Sequence, residues 1–201
     1  RGGSATVHFP IWHKEIEDII VLKNNKGTED NRVRKLDYSI QLSKLFYERF
    51  INDEDITLFS PHEVPELYEA WGSESFDELY LTAERKTSVS KKKVSAQSLF
   101  FDMLKERAET GRIYIMNIDH CNSHSSFKDR IYMSNLCQEI TLPTDPIQHI
   151  DGEGEIALCI LSAINVGKLS YLEDLESLCD LAVRALDEII DHQKYPVKAA
   201  E

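Results

Sequence analysis

Three side chains with complementary chemistry stand at alternate positions of the segment Asn135-Leu136-Cys137-Gln138-Glu139. If this segment is extended, Asn135, Cys137 and Glu139 project together, because residues two apart in a strand point to the same side. They would then line an edge roughly 13 Å long. The amide can orient a hydroxyl, the carboxylate can accept a proton, and the sulfur can act on a carbon between them. Spacing alone leaves open a small-molecule site or an exposed turn with a partly buried thiol, and so short a pattern favours the turn.

Four cysteines occur in the chain, and they are Cys121, Cys137, Cys159 and Cys179. Because no secretory signal is visible, this usage predicts reduced thiols in a cytoplasmic protein rather than a disulfide framework. Cys179 has the spacing of a helical core position, so we expect it to be a small apolar filler. The nearest approach to a metal cluster is His120-Cys121 followed by His124, and the second close pair of ligands that zinc normally requires is missing. We therefore predict no metal site.

The composition predicts a globular chain with an acidic surface. The 201 residues carry a formal net charge of −12, and the pI is near 5.0. Nucleic acids and anionic membranes need a cationic surface, so neither is an expected partner. The basic run Lys91-Lys92-Lys93 lies in a Ser-rich connection and is predicted to be a solvated loop. No apolar stretch of about 18 residues occurs, so no membrane-spanning helix is expected.

Hydrophobic periodicity alternates strand and helix along the chain, which is typical of a parallel sheet or barrel. Alternation over residues 36–42 indicates a strand, and the continuously apolar residues 155–164 indicate a buried one. Ser60-Pro61-His62-Glu63 has the pattern of a capping box at the start of a helix. The last helix is predicted over residues 171–192, with its leucines facing inward. Further strands are predicted at residues 5–9, 56–59 and 112–117, and further helices after Pro10 and over residues 45–51, 75–80 and 94–109.

The segment around the three alternating residues also resembles a known active-site loop. Ser134-Asn135-Leu136-Cys137-Gln138-Glu139-Ile140, followed by Leu142-Pro143, resembles the radical-cysteine loop of the ribonucleotide reductase large subunit. Gly154-Glu155-Ile156-Ala157-Leu158-Cys159 and its continuation resemble that family's next strand, which carries a redox cysteine. Other segments match in the same order, namely Arg1-Gly2-Gly3-Ser4-Ala5-Thr6, Trp12-His13, Val21-Leu22-Lys23-Asn24-Asn25, Asp37-Tyr38, Asp55-Ile56-Thr57-Leu58-Phe59-Ser60-Pro61, Thr110-Gly111-Arg112-Ile113-Tyr114-Ile115 and Asp119-His120-Cys121-Asn122. The likeness covers essentially the whole chain and is greatest to the bacterial or phage type of class I enzyme.

This resemblance implies the fold. The chain would be α/β, part of a ten-stranded α/β barrel of the ribonucleotide reductase type with an active-site loop inside the barrel. Residues 1–201 would form a single segment of the catalytic barrel domain, incomplete at both ends. An incomplete barrel leaves open sheet edges, so this segment by itself is expected to be inactive and poorly behaved.

The resemblance also implies a role for each site residue. Cys137 would be the transient thiyl radical that abstracts the 3′-hydrogen of the substrate ribose. Glu139 would take the 3′-hydroxyl proton as general base, and Asn135 would hold the sugar hydroxyls and Glu139 in register. These three residues would also bind the substrate. Cys159 would supply one of two reducing electrons and end as half of a disulfide, with a partner cysteine outside this sequence, while Cys121 has no matching redox role.

The implied cofactors and partners lie largely outside the segment. No cofactor would be bound directly by it, since a metal-containing small (beta) subunit would supply the radical and ATP or dNTP effectors would bind mainly elsewhere. The expected partners are that small subunit, the remaining segments of the large subunit, a second large subunit in a homodimer, thioredoxin or glutaredoxin as reductant, and a ribonucleoside diphosphate substrate. The expected location is the cytoplasm.

Two alternatives remain at this stage. One is a fragment of the adenosylcobalamin-dependent (class II) reductase, which shares the N-x-C-x-E loop. The other is a non-catalytic structural or regulatory piece that holds a metal through His120, Cys121, His124 and Cys137. Dependence on a separate radical-generating subunit would indicate the class I enzyme, and dependence on added cobalamin would indicate the class II enzyme. Stoichiometric zinc in the purified protein would favour the non-catalytic, metal-holding piece.

Overall fold

The computed structural model describes residues 5–200, so the Arg1-to-Ser4 part of the first matching segment lies outside the described residues. The chain divides into two compact units, residues 1–143 and 144–201, and each is described by itself. The strands of the first unit are β1 (Thr6–Pro10), β2 (Asp37–Leu42), β3 (Asp55–Phe59), β4 (Lys91–Ser95) and β5 (Ile113–Asn117). Its helices are α1 (Ile16–Ile20), α2 (Lys44–Ile51), α3 (Pro65–Glu69), α4 (Phe76–Arg85), α5 (Ala96–Thr110) and α6 (Ile118–Ser123).

A three-stranded parallel sheet in the order β1-β2-β5 forms the centre of the first unit. In its register Phe9 lies opposite Ile40, and Ile40 opposite Ile115. Helices connect each strand to the next, as parallel pairing requires. The sequence predicted all three strands, and the structure confirms them within one or two residues at each end.

The two faces of the sheet differ in character because side chains alternate along each strand. On the middle strand β2, Tyr38, Ile40 and Leu42 are fully buried on one face. Ser39 and Gln41 point to the other face and are also buried. The first face is therefore an ordinary apolar core layer, whereas the second is polar and needs hydrogen-bond partners.

The lysine run predicted to be a loop is a strand. Lys91, Lys92 and Lys93 belong to β4, which pairs antiparallel with β3 and places Lys93 opposite Thr57. The prediction was wrong because β4 belongs to a two-stranded sheet and has a neighbouring strand on one edge only, and such an edge strand tolerates charged side chains. Lys92 and Lys93 are exposed, while the aligned residues of β3 are buried.

The predicted capping box at Ser60 is also wrong. Helix α3 begins at Pro65, which occupies the first helical turn, and Val64 is its N-cap residue. The Ser60 carbonyl instead accepts hydrogen bonds from the backbone N–H groups of Glu63 and Val64, at 3.0 and 3.3 Å. A helix that began at Pro61 would place Pro65 in its interior, where the proline ring clashes with the carbonyl four residues earlier. The second proline therefore sets the start.

The second unit is described over residues 144–200 and contains α7 (Asp174–His192) together with short 3-10 turns. The predicted buried strand at residues 155–164 is absent from this described part. Asp145 and Glu155 form one isolated antiparallel bridge, and Leu161 is 75% exposed. An apolar run becomes a strand only where a neighbouring strand completes its backbone hydrogen bonds, and the described residues of this unit contain none.

Helix α7 confirms the predicted helix but not its inward-facing residues. No residue of α7 is buried, and Leu181 is 62% exposed. Cys179 is exposed too, so its predicted role as a core filler is wrong. Periodicity records that a helix has an apolar side, but only a packing partner makes that side a core. None of the described helices combines the length and hydropathy needed to span a bilayer.

Among the described glycines of the first unit, Gly72 has the closest neighbouring side-chain atoms. Its φ is +77°, and a Cβ placed there would lie 2.7 Å from both the Asn122 Nδ2 and the Ile118 Cγ1 atoms. Gly111, which ends α5, has a similar φ of +66° and open space around it. The two glycines therefore share the same backbone requirement but differ in steric surroundings.

We expect Gly111→Ala to lower the free energy of unfolding by about 1 kcal/mol, the cost of a left-handed conformation for a residue with a Cβ. Gly72→Ala should cost at least about 3 kcal/mol, because the clash with Asn122 and Ile118 adds to the same strain. Amide hydrogen exchange of the two variants, each in the complete large subunit, measures the difference. Equal losses would mean that the approach of Asn122 to Gly72 is not a packing constraint.

Candidate active site

The polar face of the parallel sheet is covered by the chain segment that leads to Cys137. In the sheet register, His8 is level with Ser39, and Gln41 is level with Met116. Residues 131–138 pass over these side chains without forming a strand of their own. The buried polar groups of the sheet therefore find their partners in this segment.

The hydrogen bonds occur at every second residue of the segment. The Tyr132 carbonyl accepts from Gln41 Nε2 at 2.6 Å, and the Leu136 carbonyl accepts from Thr6 Oγ1 at 2.6 Å. Between them, the Ser134 carbonyl lies 3.2 Å from His8 Nε2. Gln41 is near the end of β2 and Thr6 is at the start of β1, so the segment runs antiparallel to the strands from their carboxyl ends toward their amino ends. The polar face thus directs the backbone path of the segment.

Asn122 fixes the beginning of the segment. Its Oδ1 accepts from the Ile131 N–H at 2.9 Å, and its Nδ2 donates to the Ile131 carbonyl at 3.0 Å. The same Nδ2 donates to the Ile118 carbonyl at 3.0 Å, one turn earlier in α6. The Asn122 amide thus bonds both the N–H and the carbonyl of Ile131, which are the two backbone groups that a neighbouring strand would otherwise satisfy.

Gln41 is fully satisfied although it is buried. Its Oε1 accepts from Trp71 Nε1 at 2.7 Å, while its Nε2 donates to the Tyr132 carbonyl and lies 3.4 Å from Met116 Sδ. Its exposed fraction is only 2%. A buried amide with all these partners holds the adjacent backbone in one position, because losing a partner would leave a buried polar group unpaired.

The residues at the tip form a turn, so the extended edge considered from spacing is wrong. The Gln138 N–H donates to the Asn135 carbonyl at 3.2 Å, and Gln138 has a φ of +66°. Asn135 Oδ1 accepts from the Ile140 N–H and from Ser134 Oγ, both at 3.1 Å. Short asparagine side chains readily bond to nearby backbone in this way, which competes with extended structure. The turn keeps Asn135, Cys137 and Glu139 within one short loop, but they do not alternate along a strand.

Exposure differs among the predicted site residues. Cys137 and Glu139 are exposed at the tip, and Asn135 is partly buried inside the turn. Gln138 Nε2 reaches back to Ser39 Oγ at 3.1 Å, which ties the tip to the sheet. Cys159 belongs to the second unit, where it is exposed. Cys121 is half-buried, and burial raises the pKa of its thiol.

An open cleft lies beside the tip of the loop. It is lined by Met116 and Asn117 of β5, by Cys121, and by Gln138 and Thr141 of the loop. Among residues 5–200, no three histidine, cysteine or acidic side chains are placed to hold a metal ion. The metal-binding alternative through His120, Cys121, His124 and Cys137 therefore has no geometric support in the described part of the chain.

The residues that anchor the loop were not predicted. They are Thr6, His8, Ser39, Gln41 and Asn122. The available signal was Ser39 and Gln41, two polar residues alternating with apolar ones in a strand that needs both faces covered. A parallel strand with one polar face indicates that something other than a helix lies on that face.

A parallel sheet with an apolar face toward helices and a polar face that holds a cysteine loop is the arrangement of an α/β barrel segment with a loop in its interior. The sequence model of the family described as "Ribonucleotide reductase, barrel domain" matches residues 1–201. The chain belongs to this family, and the predicted partial α/β barrel is confirmed.

Curated relatives agree over the whole chain. It is 54% identical to the ribonucleoside-diphosphate reductase subunit alpha of Buchnera aphidicola from Schizaphis graminum, with 100% of the chain and 27% of that relative covered. Identity to the subunit alpha of Haemophilus influenzae is 55%, with the same coverage. Identity to the subunit alpha of Enterobacteria phage T4 is 44%, over 100% of the chain and 28% of that relative. The chain therefore spans about a quarter of the length of these relatives.

Proposed function

We propose that this chain carries the radical-cysteine loop of the large (alpha) subunit of a ribonucleotide reductase that converts ribonucleoside diphosphates to 2′-deoxyribonucleoside diphosphates. The observation that supports this most strongly is the anchoring of residues 131–138 to the polar face of the parallel sheet. It presents Cys137 at the tip of a turn beside an open cleft. Radical chemistry needs such a fixed geometry, because the reacting atoms must meet before side reactions occur.

Within this proposal Cys137 exchanges a hydrogen atom with C3′ of the ribose. A thiol suits this step because its S–H bond is weak enough to make the exchange with a ribose C–H nearly balanced. The chemistry is homolytic, so Cys137 requires neither a lowered pKa nor a histidine base. Glu139 accepts the 3′-hydroxyl proton as general base. Asn135 orients the sugar hydroxyls and Glu139, for which its side chain would exchange the Ile140 N–H for substrate.

The reduction requires two electrons and two protons from a pair of thiols. The 2′-hydroxyl leaves as water, the substrate gains hydrogen at C2′, and the two thiols become a disulfide. Cys159 is one of these thiols, and its partner would come from another segment of the large subunit. Disulfide formation brings the two Cα atoms to within about 7 Å of each other. Thiol exchange with thioredoxin or glutaredoxin then restores the pair.

The radical would come from a metal-containing small (beta) subunit, and no metal would be held by this segment. A homodimer of large subunits and the remaining large-subunit segments complete the assembly, with ATP or dNTP effectors bound mainly outside this segment and the cytoplasm as location. The adenosylcobalamin-dependent alternative is not supported, since the curated relatives are named as alpha subunits of ribonucleoside-diphosphate reductase.

The test uses the complete large subunit that contains this segment. With a ribonucleoside diphosphate and a dithiol, we expect deoxynucleotide only when the purified small subunit is added. Adenosylcobalamin should not replace the small subunit. Product formation with cobalamin alone would assign the segment to the other enzyme class, and no product in either mixture would contradict the proposed function.

A further inference from the structure

We propose that His8 is a positioning residue that holds the backbone of Ser134 and thereby sets the place of the turn that carries Cys137. This inference rests on the proposed function. The imidazole of His8, on β1 of the sheet, would fix the position of the loop on which the proposed chemistry depends.

His8 occupies the centre of the contact between sheet and loop. Its Nε2 lies 3.2 Å from the Ser134 carbonyl oxygen and 3.3 Å from the Ser134 backbone nitrogen. Protonated at Nε2, the ring donates to the carbonyl, and in the other neutral tautomer Nε2 accepts from the N–H. Ser134 is 8% exposed, so its backbone groups have little access to water. Either tautomer therefore holds the same residue of the loop.

Within the described part of the chain, the hydrogen bonds of the His8 ring go to Ser134 alone. Its other nitrogen, Nδ1, is buried and has no hydrogen-bond partner among the described atoms. Burial lowers the pKa of His8, while the bond to Ser134 raises it by less. The imidazole is thus held neutral, which preserves both the donor and the acceptor option at Nε2. A histidine present only to fill space would not direct one nitrogen at both backbone groups of a single residue.

Only two residues, Asn135 and Leu136, separate Ser134 from Cys137, and this part of the chain is constrained. Ser134 Oγ donates to Asn135 Oδ1, and the Ile140 N–H donates to the same oxygen, which closes the turn on itself. A shift of Ser134 is therefore passed on to the turn as a whole. Because hydrogen transfer needs near-contact geometry, a displacement of about 1 Å can lower the rate by about 10²-fold.

The experiment compares His8→Leu, His8→Gln and His8→Asn in the complete large subunit, assayed with its small subunit. Glutamine can place a nitrogen where the His8 Nε2 lies, whereas the asparagine amide falls short by one methylene. We expect His8→Leu and His8→Asn to lower kcat by about 10²-fold with KM changed less than about threefold, and His8→Gln to recover most of the loss. The kinetic isotope effect on kcat with 3′-deuterated substrate should rise in the two slow variants, because hydrogen abstraction becomes limiting.

His13→Leu is the matched control. His13 is a second partly buried histidine of the same unit, and burial lowers its pKa too, but its Nδ1 accepts from the Glu15 N–H and it makes no hydrogen bond to the loop. This variant should keep the wild-type isotope effect. Equal kinetics for His8→Gln and His8→Asn would overturn the inference about His8, and so would an equal loss of activity in His8→Leu and His13→Leu. In either case an active wild-type subunit leaves the proposed function intact. An inactive wild-type subunit would instead remove the proposed function itself.

Discussion

Cys137→Ser in the complete large subunit should reduce deoxynucleotide formation by at least about four orders of magnitude, each of which corresponds to about 1.36 kcal/mol of barrier. Serine matches cysteine in shape, but its O–H bond is too strong to yield the radical that we propose takes the 3′-hydrogen. With 3′-tritiated ribonucleoside diphosphate, we expect no release of tritium from this variant. That result would place the loss in the first chemical step rather than in substrate binding.

Cys159→Ser provides the contrast that assigns the two thiols. Cys159 is proposed to act after hydrogen abstraction, so its serine variant should still release tritium from C3′ while it forms no clean deoxynucleotide. Cys179→Ser is the control, because Cys179 is an exposed cysteine of α7 with no proposed role, and it should behave as the wild type. Equal and mild losses in Cys137→Ser and Cys159→Ser would contradict both assignments.

A second large effect, this time on stability, is expected at an ion pair beneath the β3–β4 hairpin. Arg49 Nη1 and Nη2 donate to Glu84 Oε1 and Oε2 at 2.7 and 2.6 Å, and the two side chains are only 11% and 16% exposed. Thr57 Oγ1 donates to the same carboxylate at 2.5 Å, and Arg49 also donates to the Asp55 carbonyl at 2.8 Å. The pair joins α2 and α4 to β3.

Glu84→Gln should therefore destabilise this region by about 3 kcal/mol, because removing one member of a buried pair leaves the other charge uncompensated. In amide hydrogen exchange of the complete subunit, that loss appears as roughly hundredfold faster exchange across β3 and β4. The control is Glu66→Gln, which breaks the more exposed pair with Lys86 and should cost less than about 1 kcal/mol. Similar exchange in the two variants would show that the buried pair does not stabilise the hairpin.

The same pair predicts a pH dependence. Burial by itself raises the pKa of Glu84, but hydrogen bonds from Arg49 and Thr57 outweigh it, and the net pKa lies below the ordinary value of 4.5. A carboxyl with a lowered folded-state pKa contributes stability above its unfolded pKa, and that contribution is lost as the pH falls through the folded one. Protection of β3 in the wild type should thus fall below about pH 4.5, and part of this fall should be missing in Glu84→Gln.

Local patterns predicted the elements whose geometry depends on nearby residues. The end of α5 is an example, since Gly111 takes a left-handed conformation that other residues avoid. The strand predicted over residues 36–42 is another, because its alternation of apolar and polar residues is a property of the strand itself. For the cysteine loop, the resemblance of residues 134–143 to a known family made Asn135, Cys137 and Glu139 candidates, whereas their spacing alone favoured an exposed turn.

Tertiary structure decided what these elements contact. Asn135 turns its amide onto the Ile140 N–H, and Gln138 adopts a positive φ, because the loop must turn where the polar face of the sheet ends. Residues 155–164 form no strand and α7 buries no side chain, since both need partner surfaces that the described second unit lacks. Hydrophobic periodicity is encoded within a few residues of the chain, whereas His8 and Ser134 meet across 126 positions and only folding brings them together.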